Sequence, residues 1–168
     1  MSARLLPLGW VAINCDGSVK QDRGGRVMGA IGRDQLGNPL FAIAGGASEV
    51  SIVHMELQAT KIGLLKANSS NLSRVQVRSD SMLAIKMIVG TFALSWEVRW
   101  LIEDIRILRD SFVSCSFAHQ VREANSCADY LAGLVDTYVE FSFSMDSLPS
   151  ALSVMIQNDA RGKKYPRL

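Results

Sequence analysis

Between Trp10 and Gly46 lie three runs of alternating apolar residues separated by nothing longer than a turn, and this stretch constrains the fold more than any other part of the 168-residue chain. The run "WVAINCD" (10–16) sets Val11, Ile13 and Cys15 on one side, with Gly17 expected to turn the chain. "GGRVMGAIGRD" (24–34) alternates Val27, Gly29 and Ile31 against Met28 and Ala30, and "PLFAIAGG" (39–46) follows the turn "DQLGN". Strands this close in sequence must pair antiparallel, because a parallel return needs a crossover of about a dozen residues or more. A three-stranded meander is the expected start.

The period then changes. "SIVHMELQATKIGLLKAN" (51–68) carries Ile52, Met55, Ala59 and Ile62 at helical spacing, with Ser48 or Ser51 available as its cap. A strand "RVQVRSD" (74–80) follows, then a short helix stopped by Gly90, a longer helix over 97–112, a fifth strand "VSCSFAHQV" (113–121) and a helix over 123–135 capped near Asn125. The order βββαβ(αα)βα predicts an α/β fold. Its sheet has five mixed strands, three antiparallel and then two parallel, flanked by helices, because right-handed crossovers lay the connecting helices on the sheet faces. The domain is expected over 10–135 and a C-terminal tail over 136–168. In that tail "DTYVEFSF" alternates like an extra strand able to pair with the domain or with a second copy, and "RGKKYPRL" is a basic end. Trp96 and Trp100, four residues apart at a helix start, are expected in the core.

A composition of 48% hydrophobic and 20% charged residues suits one domain with a real core, and a net charge of only +2 means that a polyanion must be met by a local patch. Cys15, Cys115 and Cys127 form an odd set with neither CxxC spacing nor a His pair, which argues against a zinc site or a disulfide framework and for a reducing compartment. The N-terminal apolar run, broken by Pro7 and Gly9, is too short for a signal-peptide core or a membrane span, so a soluble, intracellular protein without membrane association is expected.

Four acids fall at element boundaries: Asp16 at the end of the first strand, Glu56 in the first turns of the long helix, Asp80 at the end of the fourth strand, and Asp129 early in the last helix. In a mixed α/β sheet such boundaries meet at one crevice. Carboxylates gathered there repel each other unless cations neutralise them, and an all-oxygen set suits Mg²⁺ or Mn²⁺. Each acid has an ordinary alternative: Asp80 as a helix cap, Glu56 on a solvent-facing side, Asp16 in an Asp-Gly turn, Asp129 paired with Arg122.

"INCDGSV" (13–19), "HMELQAT" (54–60), "VRSDSML" (77–83) and "AHQVREANSCADYLA" (118–132) resemble, in this order, the four acidic motifs of ribonuclease H type 1 domains, above all the plant reverse-transcriptase-like branch derived from retroelements. The resemblance implies the ribonuclease H-like fold, and an endoribonuclease that cuts the RNA strand of RNA/DNA hybrids by a two-metal mechanism. It implies Asp16, Glu56, Asp80 and Asp129 as ligands of two Mg²⁺ or Mn²⁺ ions, with Asp16 bridging, Glu56 and Asp80 on one ion and Asp129 on the other. His119 matches the family histidine linked to proton handling and product release. Candidate substrate contacts are Asn14, Gly17, Ser18, Arg78, Ser81 and Asn125. The sequence departs from the branch at Arg78, where Glu often precedes the Ser-Asp pair, and in the interval "VGTFALSWEVRW", whose only cation, Arg99, leaves no basic handle. A domesticated domain that binds nucleic acid or a protein partner without catalysis is the alternative reading.

Overall fold

The three opening runs form the expected meander. In a computed structural model, which describes residues 6–20, 25–47, 51–90, 95–121, 128, 130, 141–143 and 150–160, β1 (Val11–Lys20), β2 (Gly25–Arg33) and β3 (Pro39–Ala47) pair antiparallel in sequence order. The β2–β3 turn is set by Asp34, whose Oδ1 accepts from the backbone N–H groups of Leu36 and Asn38, each at 2.9 Å, as a short acidic side chain at a turn start commonly does. Helix α1 (Ile52–Ser69) then crosses to β4 (Arg74–Ser79), and α2 (Met82–Val89) and α3 (Trp96–Asp110) lead to β5 (Ser114–His119). Ser51 caps α1 by accepting from the His54 N–H, and Ser81 caps α2 by accepting from the Ala84 N–H. Both β1–β4 and β4–β5 are parallel, so the mixed five-stranded arrangement holds.

The sheet has the order β5-β4-β1-β2-β3-β6, its sixth strand being a short tail segment, β6 (Phe141–Phe143), paired antiparallel with β3 of the same chain. The tail also supplies a helix, α4 (Ser150–Ala160), that the sequence reading did not separate from the rest of it. Leu152 of α4 is wholly buried with Val27, Ile31, Ala42 and Ala44, so the tail helix packs on the β2–β3 part of the second sheet face. Of the helix expected over 123–135, Ala128 and Tyr130 are described and helical; the rest, Asn125 and Asp129 included, lies outside the described residues.

The main core lies between the other face and helices α1 to α3, where Ile13, Cys15, Val75 and Val77 meet Leu57, Leu64, Ile88, Leu101, Ile102 and Ile105. Burying each such aliphatic side chain contributes about 1.5–3 kcal/mol, which anchors α1 against β1. The expectation for the two tryptophans is corrected: Trp96 is 82% and Trp100 52% exposed. At 100° per residue Val98, Leu101, Ile102 and Ile105 share one side of α3 and turn Trp96 and Trp100 outward. Trp100 rests instead against α1, its ring 6.2 Å from that of His54 and 5.4 Å from the Lys61 ammonium, which also pairs with Asp104 at 2.8 Å. Among the described residues, no helix is long and apolar enough to cross a membrane.

Candidate metal centre

Strand β1 does not stop at Asp16. It runs on through Gly17 to Lys20, with Asp16 paired to Gly29 and Gly17 to Met28, which corrects the expected turn at Gly17. The glycine serves another purpose. A Cβ built there lies 2.5 Å from the Met55 carbonyl carbon and 2.7 Å from the Glu56 nitrogen, so only a residue without a side chain lets the first turns of α1 lie against β1. On the other side of β1, the parallel register ends at Cys15↔Ser79, which puts the next residues, Asp16 and Asp80, side by side where the two strands leave the ladder.

Strand register and the Gly17 contact together assemble the acids. One carboxylate oxygen each from Asp16, Glu56 and Asp80 lies within 4.8 Å of the others, Asp16 and Glu56 buried and Asp80 half-buried. The carboxyl group of Glu56 is pushed up to about 8, first by burial and then by the charges of Asp16 and Asp80. Hydrogen bonds from the Gly17 N–H and from Ser79 Oγ, the latter 3.4 Å from Glu56 Oε2, work in the opposite sense. Three oxygen donors this close fit a hard divalent cation, which would relieve the repulsion that holds Glu56 up. Among the described residues no thiol is poised for chemistry: burial pushes Cys15 up beyond the ordinary thiol range and Cys115 up to about 12.

His119 ends β5 opposite Ser79, exposed, with Nε2 3.1 Å from the Asp80 carbonyl oxygen. Arg78 does not turn to the acids in its hydrogen bonding: its Nε donates to Gln76 Oε1 at 2.8 Å, and burial, then the nearby Arg33 charge, disfavour its cation somewhat without discharging a guanidinium. Asn14 is wholly buried, donating from Nδ2 to Gln120 Oε1 and accepting at Oδ1 from Arg33 Nη2 at 3.0 Å. Ser81 sits at the mouth of the cluster as the α2 cap, and Ser18 follows Gly17 in β1. The structure thus brings together Asp16, Gly17, Glu56, Asp80, Ser81 and His119. Sequence reasoning missed Ser79 as the hydroxyl beside Glu56, and Gln120, although both lie inside motifs that had been singled out.

Residues 14–135 match the family described as reverse transcriptase-like. A curated Arabidopsis thaliana relative named as a ribonuclease H protein is 26% identical over 160 residues, covering 95% of this chain; the chain spans about a quarter of that relative's length, 26%. Among solved structures, ribonuclease H1 of Halobacterium salinarum superposes with a TM-score of 0.69 at 22% identity, over 74% of this chain and 95% of the other. The N-terminal ribonuclease H domain of a Mycobacterium tuberculosis protein gives 0.70 at 20% identity, over 76% and 93%. LC11-RNase H1, solved in complex with an RNA/DNA hybrid, gives 0.67 at 24% identity, over 74% and 95%. At these identities the structural likeness establishes the ribonuclease H-like fold.

Proposed function

Because this chain belongs to the reverse transcriptase-like family of ribonuclease H-type domains, we propose that it is a divalent-metal-dependent endoribonuclease that hydrolyses the RNA strand of RNA/DNA hybrids. The observation that carries this reading is the convergence of Asp16, Glu56 and Asp80 within 4.8 Å beside the exposed His119. Asp16, Glu56 and Asp80, with Asp129 as the fourth acid, hold two Mg²⁺ or Mn²⁺ ions. When bound, two such ions supply Lewis-acid activation of the attacking water and stabilisation of the leaving oxygen in an in-line displacement.

The remaining steps belong to the chain itself. The Gly17 N–H and the Ser79 hydroxyl orient the Glu56 carboxylate. His119 handles the proton of the departing 3′ oxygen, since an imidazole can both give and take a proton through its ring nitrogens and this one stands exposed at the edge of the cluster. The Gly17 backbone, Ser18, Ser81, Asn125 and Arg78 contact 2′-hydroxyls and phosphates of the bound strands, the features by which a protein distinguishes RNA from DNA and holds a duplex. Asn14, buried and bonded at both ends of its amide, supports the site from beneath.

The test is a cleavage panel: labelled RNA/DNA hybrid, double-stranded RNA and single-stranded RNA, each with Mg²⁺, with Mn²⁺ and with chelator. Metal-dependent cutting of the hybrid alone supports the reading. A hybrid bound but left uncut over hours, while a known ribonuclease H cuts it, would replace it with the non-catalytic binding role.

A further inference from the structure

We infer that Gln120 is a positioning residue, latching the end of the edge strand that carries His119 to the strand that carries Asp16. Strand β5 lies at the margin of the sheet and pairs only with β4 among the described strands. The end of an edge strand is where a ladder opens most readily, and His119 is the last residue of this one. Just past it, Gln120 is held twice. Its backbone N–H donates to the Ser79 carbonyl at 2.8 Å, one step beyond the His119↔Ser79 register pair. Its side-chain Oε1 accepts from Asn14 Nδ2, reaching over β4 to β1. The Asn14 Oδ1 in turn accepts from Arg33 on β2, so a line of side-chain hydrogen bonds ties the edge strand to the sheet centre.

Asn14 stands two residues before Asp16 on the same strand and therefore on the same face. Gln120 shares that face, while alternation turns its neighbour His119 the other way. The latch thus fixes the backbone on both sides of the cluster without occupying it. The His119 ring itself is held at the Asp80 carbonyl oxygen, 3.1 Å from Nε2; a carbonyl only accepts, so in this contact Nε2 carries the hydrogen.

The kinetic part of the test rests on the hydrolase reading and the spectroscopic part does not. In the full chain, Gln120→Leu and Asn14→Ala are each expected to lower kcat on the hybrid about tenfold with KM held within about twofold, since loosening a proton carrier spares uniform binding. The double variant is expected to lose about tenfold as well, not about a hundredfold, because one latch is broken twice. Gln120→Glu keeps the Oε acceptor and is expected to recover kcat to within about threefold; it also serves should the leucine variant fail to fold. Two-bond ¹⁵N–¹H spectra of the His119 ring are expected to show the Nε2–H tautomer in the wild type and tautomer averaging in Gln120→Leu. Wild-type kcat in the single variants, additive losses in the double, or ring spectra unchanged by Gln120→Leu would each overturn the latch. If the wild type leaves the hybrid uncut, the hydrolase reading fails by itself, and the ring spectra decide the latch.

Discussion

Replacing Glu56 by Gln should make the metal-free protein more stable. The carboxyl group is buried, and burial together with the charges of Asp16 and Asp80 lifts it from an ordinary 4.5 to about 8. Between those values the native state holds a proton that the unfolded chain has released, so stability falls as pH rises from about 4.5 to about 8. At about 1.4 kcal/mol per pH unit, the interval from 4.5 to neutrality costs the wild type about 3 kcal/mol. Glutamine cannot ionise, yet it keeps an oxygen for the Gly17 N–H and the Ser79 hydroxyl. In chelator at pH 7 to 8, Glu56→Gln should therefore melt higher by on the order of 10 °C for a domain of this size. The gap should close as pH falls below 4.5, where Glu56 is protonated in both states. Millimolar Mg²⁺ should raise the wild-type midpoint and leave the variant nearly where it was, because the ligand set is broken. Thermal denaturation across pH, with chelator and with Mg²⁺, reads all of this. A variant no more stable than the wild type at pH 8 in chelator, or a difference independent of pH, would refute the claim that burial and the charges of Asp16 and Asp80 hold the Glu56 carboxyl group up.

Gly17→Ala forces a methyl group to within 2.5 Å of the Met55 backbone and should cost about 1–3 kcal/mol or more in thermal or denaturant unfolding while displacing Glu56 from Asp16. Leu101→Ala, at a wholly buried site, should cost about 2–5 kcal/mol, whereas Trp96→Ala, largely in solvent, should stay within about 0.5 kcal/mol; equal losses would contradict the orientation of α3. The Lys61–Asp104 pair is partly exposed, and a double-mutant cycle by denaturant melts should give a coupling of less than about 1 kcal/mol that shrinks with added salt.

The order of strands and helices was legible because it depends on local periodicity: strand-like alternation through Ile13 and Ile31, helical spacing through Met55 and Ala59, and turn chemistry at Asp34. What the sequence hid depends on tertiary approach. Gly17 reads locally as half of an Asp-Gly turn, and only the proximity of Met55 shows that β1 runs straight through it. Trp96 and Trp100 have the spacing of a core pair, but four aliphatics on the opposite side of α3 had the better claim to the interior. The three described acids were visible as a set from their order in the motifs, but their pairing came from the Cys15↔Ser79 register, which no spacing reports. The Asn14–Gln120 bridge spans 106 residues of sequence and left no local mark.

The most direct measurement is cleavage of an RNA/DNA hybrid labelled on the RNA strand, in Mg²⁺, by the wild type and by Asp80→Asn, with circular dichroism confirming that both are folded. The account predicts internal cuts leaving 5′-phosphate and 3′-hydroxyl ends for the wild type. It predicts a loss of about a hundredfold or more for Asp80→Asn, in which a neutral amide replaces the half-buried carboxylate beside Asp16. Equal cleavage by the two proteins, or cleavage that persists in chelator, would contradict it.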